Sequence, residues 1–197
     1  MSITGKGITA AVLLIVPVVA ELVYEPLGDG TASKIIFAAS QLVGWLLLAG
    51  VCRGLAELHP PASRRDRVGA RLLVAGCVAE MAFAASYGVL EVVTGEPEVS
   101  FVFFSLGLLL TTVGGLLRGS QLRRRGVDLA GVGLMAAAVL GFLAIAVGSD
   151  PFHDVFLLTG YAAWAVVGLG ASRGGRLVAS GDSGLSRSPA AGARRSL

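Results

Sequence analysis

The chain has 197 residues, 54% of them apolar and only 15% charged, with a mean hydropathy of +0.77 and a net charge of +3. Soluble domains run near about 45–50% apolar and about 25% charged. These proportions exclude a soluble enzyme, a nucleic-acid-binding domain, a disulfide scaffold and a disordered chain, and they predict a polytopic membrane protein.

Six apolar windows follow one another along the chain, at 7–24, 35–52, 72–90, 99–117, 129–149 and 155–172, and only Glu21 and Glu80 place a charge inside them. Each approaches the roughly 20 helical residues that a hydrocarbon core about 30 Å thick requires. The first window, with Lys6 before an apolar run from Ile8 to Ala20, has the outline of a secretory signal. No small-x-small cleavage pattern stands out near Ala20, so it is read as a retained span. Pro17 inside it should kink the helix and strand a carbonyl that a neighbour must satisfy. Beyond Ser172 the composition turns to Gly, Ser, Ala and Arg, and 174–197 is read as a disordered basic cytosolic tail.

Every Lys and Arg except Lys34 falls before the first window, in the second or fourth connection, or after the sixth window. The opposite connections hold Glu25, Asp29, Glu91, Glu96, Glu98, Asp150 and Asp154. By the positive-inside rule both termini are cytoplasmic, in a plasma (inner) membrane crossed six times. The expected partners are the bilayer itself, with anionic headgroups held by the cytoplasmic arginines, a small-molecule or lipid ligand, and a second copy or partner membrane protein. No nucleic acid is expected.

The even-numbered windows share an ending: Gly50-Val-Cys-Arg53-Gly54, Gly115-Leu-Leu-Arg118-Gly119 and Gly170-Ala-Ser-Arg173-Gly174. Glycines four apart on one helix face form a packing notch, while the arginine anchors the helix at the headgroups. The first and third windows also align, with Val-Ala-Glu ending at Glu21 and Glu80. The expected architecture is therefore all-α, six helices arranged as three parallel-repeat hairpins with both termini inside. A two-span repeat returns to its starting side, so the repeats are parallel rather than inverted.

Intramembrane carboxylates carry the most chemical information, because a charge at a helix centre costs about 2.5–3.5 kcal/mol. Glu80, nine residues beyond Arg71 and eleven before Glu91, is the sharper candidate; Glu21 lies nearer the exterior. The functional reading makes Glu80 a proton-accepting or cation-binding group. The structural alternative is a carboxyl hydrogen-bonded to a neighbouring helix as a clasp. Gln41, Trp45, Tyr87, Tyr161 and Trp164, with Glu21, are the expected ligand-lining residues; Ser40, Ser105 and Thr159 share the same outer half. Trp45 and Trp164 sit mid-window, and their indole N–H groups need partners.

No cofactor or metal is expected. His59 and His153 fall at opposite ends, so no imidazole pair spans the bundle for haem or zinc. Asp150, His153 and Asp154 are read as solvated groups in one short connection. Cys52 and Cys77 form no Cys-x-x-Cys pair and are read as free, small hydrophobes. No intramembrane Lys, phosphate loop, dinucleotide fingerprint or Gly-x-Ser-x-Gly is present.

Three functions fit. The first is a bundle that binds or transports a small solute or proton through Glu80. The second is a non-catalytic module for immunity, assembly or regulation, whose glycine notches face lipid and await a partner. The third is an enzyme on a lipid or isoprenoid substrate, such as a terpene cyclase, with Glu80 as general acid among aromatic rings that stabilise cationic charge.

Overall fold

The computed structural model describes residues 1–24, 31–93, 100–147 and 152–181, without the side chains of 21–24, 31, 91, 92 and 172–181. All described secondary structure is helical: α1 (Ile3–Tyr24), α2 (Thr31–Leu58), α3 (Arg64–Val93), α4 (Ser100–Arg124), α5 (Asp128–Val147) and α6 (Phe152–Gly181). All six are long and apolar enough to cross a membrane. Only 28% to 50% of each apolar span is buried inside the bundle, so half or more of every span stays wholly or partly uncovered by the chain itself. On α1, for example, Ala10, Leu14 and Val18 point inward while Ile8, Val12 and Val16 are exposed. A helix apolar on all sides is what a lipid-embedded bundle requires.

The helices form a closed ring in chain order. Each packs on its sequence neighbours, α1 returns to pack on α6, and α2 also touches α6 across the ring. Leu14, Trp45, Leu48, Leu73, Leu134, Tyr161, Trp164 and Val167 belong to one buried core.

Glycine sets the closest helix approaches. At the α1–α6 seam a Cβ on Gly7 would lie 2.9 Å from the Cα of Gly168, and Thr4 Oγ1 donates to the Gly168 carbonyl at 3.2 Å. The α3–α4 seam is an antiparallel ladder in which equal steps along the two helices meet. Gly69 lies against Arg118, Leu73 against Gly114, Gly76 against Thr111 and Glu80 against Gly107. The next rung is the ring pair Phe83–Phe104, with centroids 5.2 Å apart. Small residues let backbones approach where no hydrophobic force drives helices together in lipid.

The Gly-x-x-Arg-Gly endings are placed differently in different helices. Gly50 and Gly54 of α2 face Lys6 and Ile3 of the preceding helix, whereas Gly115 and Gly119 of α4 face Leu134, Ala138 and Gly131 of the following helix. Gly170 of α6 faces Ala130 of the preceding helix. Within a ring, the same offset from notch to arginine points outward when the notch faces backward and inward when it faces forward. Arg53 is accordingly exposed, and Arg118, expected at the headgroups, is 1% exposed.

Arg118 closes the basic end of the bundle. Its guanidinium donates to Asp66 Oδ1, to the His59 carbonyl and, at 3.4 Å, to the Leu55 carbonyl. Arg125 adds bonds to Asp66 Oδ2 at 2.7 Å and to the Pro60 carbonyl at 2.8 Å. Asp66 also accepts from the Ala62 N–H at 3.1 Å, and Ser63 Oγ caps α3 by accepting from the Asp66 N–H. This cap explains why α3 begins at Arg64, well before the apolar window that starts at 72. A guanidinium buried this fully is retained because carboxylate and carbonyls together replace its water. The His59 and Pro60 carbonyls thus tie the 59–63 connection to the end of α4, and the backbone of Ala171 on α6 lies near the His59 ring.

α6 continues to Gly181, past residue 174 where the basic tail is expected to start. Residues 182–197 lie outside the described residues.

Candidate functional site

Glu80 sits at the centre of the bundle and is 0% exposed. At about 1.5 Å per residue it stands roughly 24 Å along α3 from Arg64, near the middle of that 30-residue helix. Its side chain lies over Gly107 of α4, where an added Cβ would come within 2.6 Å of Oε1. The missing side chain at Gly107 is thus the space that holds the carboxyl. Neither Oε1 nor Oε2 has a hydrogen-bond partner. The interhelical clasp that would make Glu80 a structural residue is not formed.

Two side chains lie within electrostatic reach of this carboxyl, Cys77 one turn away on α3 and Tyr161 on α6. The Tyr161 ring meets Trp45 of α2 edge-on, with centroids 6.0 Å apart and planes at 78°. The Trp45 indole N–H is buried without an acceptor. A core that holds two bare acceptor atoms and one bare donor has unmet polar capacity, and such groups are normally paired. Trp164, 4% exposed, lies one turn beyond Tyr161 on α6.

The remaining expected lining residues divide. Gln41 is buried, and its Nε2 donates to the Leu14 carbonyl of α1 at 3.4 Å. That carbonyl is one residue past the Leu13 carbonyl from which Pro17 withholds a helical donor, so Gln41 ties α2 to α1 beside the proline without serving the stranded group itself. Tyr87 belongs to a separate aromatic cluster with Phe37, Phe83 and Phe101, at centroid distances of 5.6 to 6.3 Å. Ser105 and Thr159 face outward, and the hydroxyls of Ser40 and Thr159 bond within their own helices. The side chain of Glu21 lies outside the described residues. The outer-half polar cavity expected from sequence position is therefore not assembled from Ser105 and Thr159; their helical phase turns them toward lipid.

His153 Nδ1 is hydrogen-bonded to the Ala144 carbonyl at 2.7 Å, tying α6 to α5; Asp150 lies outside the described residues. Cys52 and Cys77 are buried, free and face each other between α2 and α3.

Two features escaped the sequence. Gly107 cradles Glu80, and its signal was the small-residue series Gly107, Thr111, Gly114 on one face of α4. Asp66 anchors two arginines, and its signal was the Ser63-x-x-Asp66 cap in an otherwise basic stretch. Compared with protein-family models, curated proteins and solved structures, the chain matches none.

Proposed function

We propose that this chain is a membrane bundle that binds or transports a small solute or proton, with Glu80 as the group that takes up the proton or cation. The observation that carries this reading is a wholly buried carboxyl with both oxygens unpartnered. A carboxyl group in a membrane interior is costly whether charged or neutral when it lacks a donor, and a purely architectural residue here would be apolar. Tyr161 and Trp45 extend the site across the ring, and the bare indole N–H offers a second polar contact to the same ligand.

The 59–63 connection is held across the basic end by Arg118 and Arg125, which favours entry to Glu80 from the opposite end or between helices. We assign the basic end, and with it both termini, to the cytoplasmic side of the inner membrane from the arginine distribution. The ligand then arrives from the exterior. The three hairpins are read as degenerate duplicates, with α4 having turned its notch toward α5. Because Gly50, Gly54, Gly115, Gly119 and Gly170 all pack against helices of the same chain, the interaction-module reading lacks the lipid-facing notches it calls for.

The proton serves as the probe. Full-length protein is reconstituted into liposomes with a trapped pH-sensitive dye, and a potassium gradient with valinomycin supplies the driving potential. Wild type is expected to acidify the lumen faster than empty liposomes, and Glu80→Gln to return the rate to the empty-liposome level. Equal flux in wild type and Glu80→Gln removes Glu80 from the path, and a wild-type rate equal to that of empty liposomes removes proton transport.

A further inference from the structure

A second site lies at the basic end, away from Glu80, in the seam between α2 and α3. A cavity of about 450 Å³ opens there, lined by Arg53 of α2, by Arg67 and Arg71 of α3, and by an apolar floor that includes Ala70, Val74 and Ala75. All three arginines are exposed, and among the described residues none is ion-paired. No Asp or Glu lines the cavity. Asp66, next to Arg67 in sequence, is fully buried and engaged by Arg118 and Arg125, so it neutralises none of the three. Arg67 and Arg71 are one turn apart on a single helix face, and Arg53 faces them from α2.

We propose that this groove holds one phospholipid with an anionic headgroup. Guanidinium groups bind phosphate oxygens through charge-assisted, often bidentate bonds, and three arginines with no carboxylate partner among the described residues border this one cavity. The floor climbs from the arginines along small and branched apolar residues toward the hydrocarbon, which suits the first methylenes of an acyl chain. Free phosphate has no use for that floor, and a zwitterionic lipid leaves part of the positive charge uncompensated. The site is independent of Glu80 and of the proposed transport.

Native mass spectrometry of the detergent-solubilised full-length protein, offered phosphatidylglycerol and phosphatidylcholine in equal amounts, tests the assignment. Wild type is expected to retain a single phosphatidylglycerol in preference to phosphatidylcholine. Arg67→Gln/Arg71→Gln should reduce that preference by about tenfold or more, at roughly fivefold per arginine. Arg64→Gln/Arg65→Gln removes the same charge outside the groove and should change the preference less than about twofold. Should the Arg67→Gln/Arg71→Gln protein not fold, Arg53→Gln alone is read, with about a fivefold loss expected. Absence of preference in wild type, equal losses in the two double variants, or displacement of the lipid by millimolar inorganic phosphate overturns the proposal.

Discussion

Glu80 and Arg118 are both fully buried, yet their surroundings are opposite in kind. Arg118 donates to a carboxylate and to two backbone carbonyls, while the oxygens of Glu80 accept nothing. Arg118 is therefore satisfied within the fold, whereas Glu80 is not, and the proposed function rests on that difference. His59 lies beside the first of these groups. Burial, then the positive charge of Arg118 and that of Arg125, hold its imidazole below the ordinary value of 6.5, outweighing the nearby Ala171 backbone that works the other way. The unfolded chain thus binds this proton more readily than the folded one. Stability is fully present above pH 6.5 and falls as pH drops through that value toward the folded-state pKa. Melting temperatures in detergent should decline between about pH 7.5 and pH 5.5, and His59→Gln should flatten that part of the profile. An unchanged slope in His59→Gln assigns the acid sensitivity elsewhere. Glu80 was legible because a charge nine residues inside an apolar window has no nearby water. Gly107 and Asp66 were not, since their roles depend on which residue of another helix stands opposite.

At the level of the helix, the same small residue serves different ends according to its phase. Gly114 and Gly115 are consecutive, so they point about 100° apart, one to Leu73 of α3 and the other to Ala138 of α5. α4 thereby carries two small-residue faces, and this lets it be gripped from both sides. A Cβ at Gly114 would lie 2.7 Å from the backbone N of Leu73 and 2.9 Å from the Gly69 carbonyl, whereas at Gly141 it would meet only Leu108 Cδ2 at 3.5 Å. Gly114→Ala is expected to cost about 1–3 kcal/mol by forcing the α3 and α4 backbones apart. Gly141→Ala should be neutral or gain up to about 1 kcal/mol of helix propensity. Unfolding in mixed micelles measures both, and equal effects would contradict the ladder register. The apolar windows located all six helices, but they measure the distance between flanking charges rather than the hydrogen-bonded length. α2 and α3 accordingly run beyond both ends of their windows, across Lys34 and through Arg64 to Arg71. The repeated glycine endings were also visible. The direction of each notch was not, since the sequence does not encode which neighbour a face will meet.

Across the whole molecule, the ring explains how one carboxyl comes to stand far from every solvent-facing surface. Helices joined in chain order need only local connections, and the closing contact is the glycine pair of α1 and α6. Composition and charge spacing gave the class of protein and the number of spans at once, because lipid demands length and apolarity above all else. Ring closure and the stapled 59–63 connection were beyond that reading, since they rest on Gly7 meeting Gly168 and on Asp66 joining Arg118 to Arg125. The central claim is that Glu80 is kept for a ligand and not for the fold. Mass spectrometry of what co-purifies in mild detergent with wild type and with Glu80→Gln, alongside their melting temperatures, tests it most directly. The account predicts a discrete small molecule, distinct from bulk phospholipid, retained by wild type and depleted in a Glu80→Gln protein that melts within about 3 °C of wild type. Phospholipid alone in both samples would remove the small-molecule ligand and leave only the proton, and a Glu80→Gln protein that loses its fold would contradict the claim.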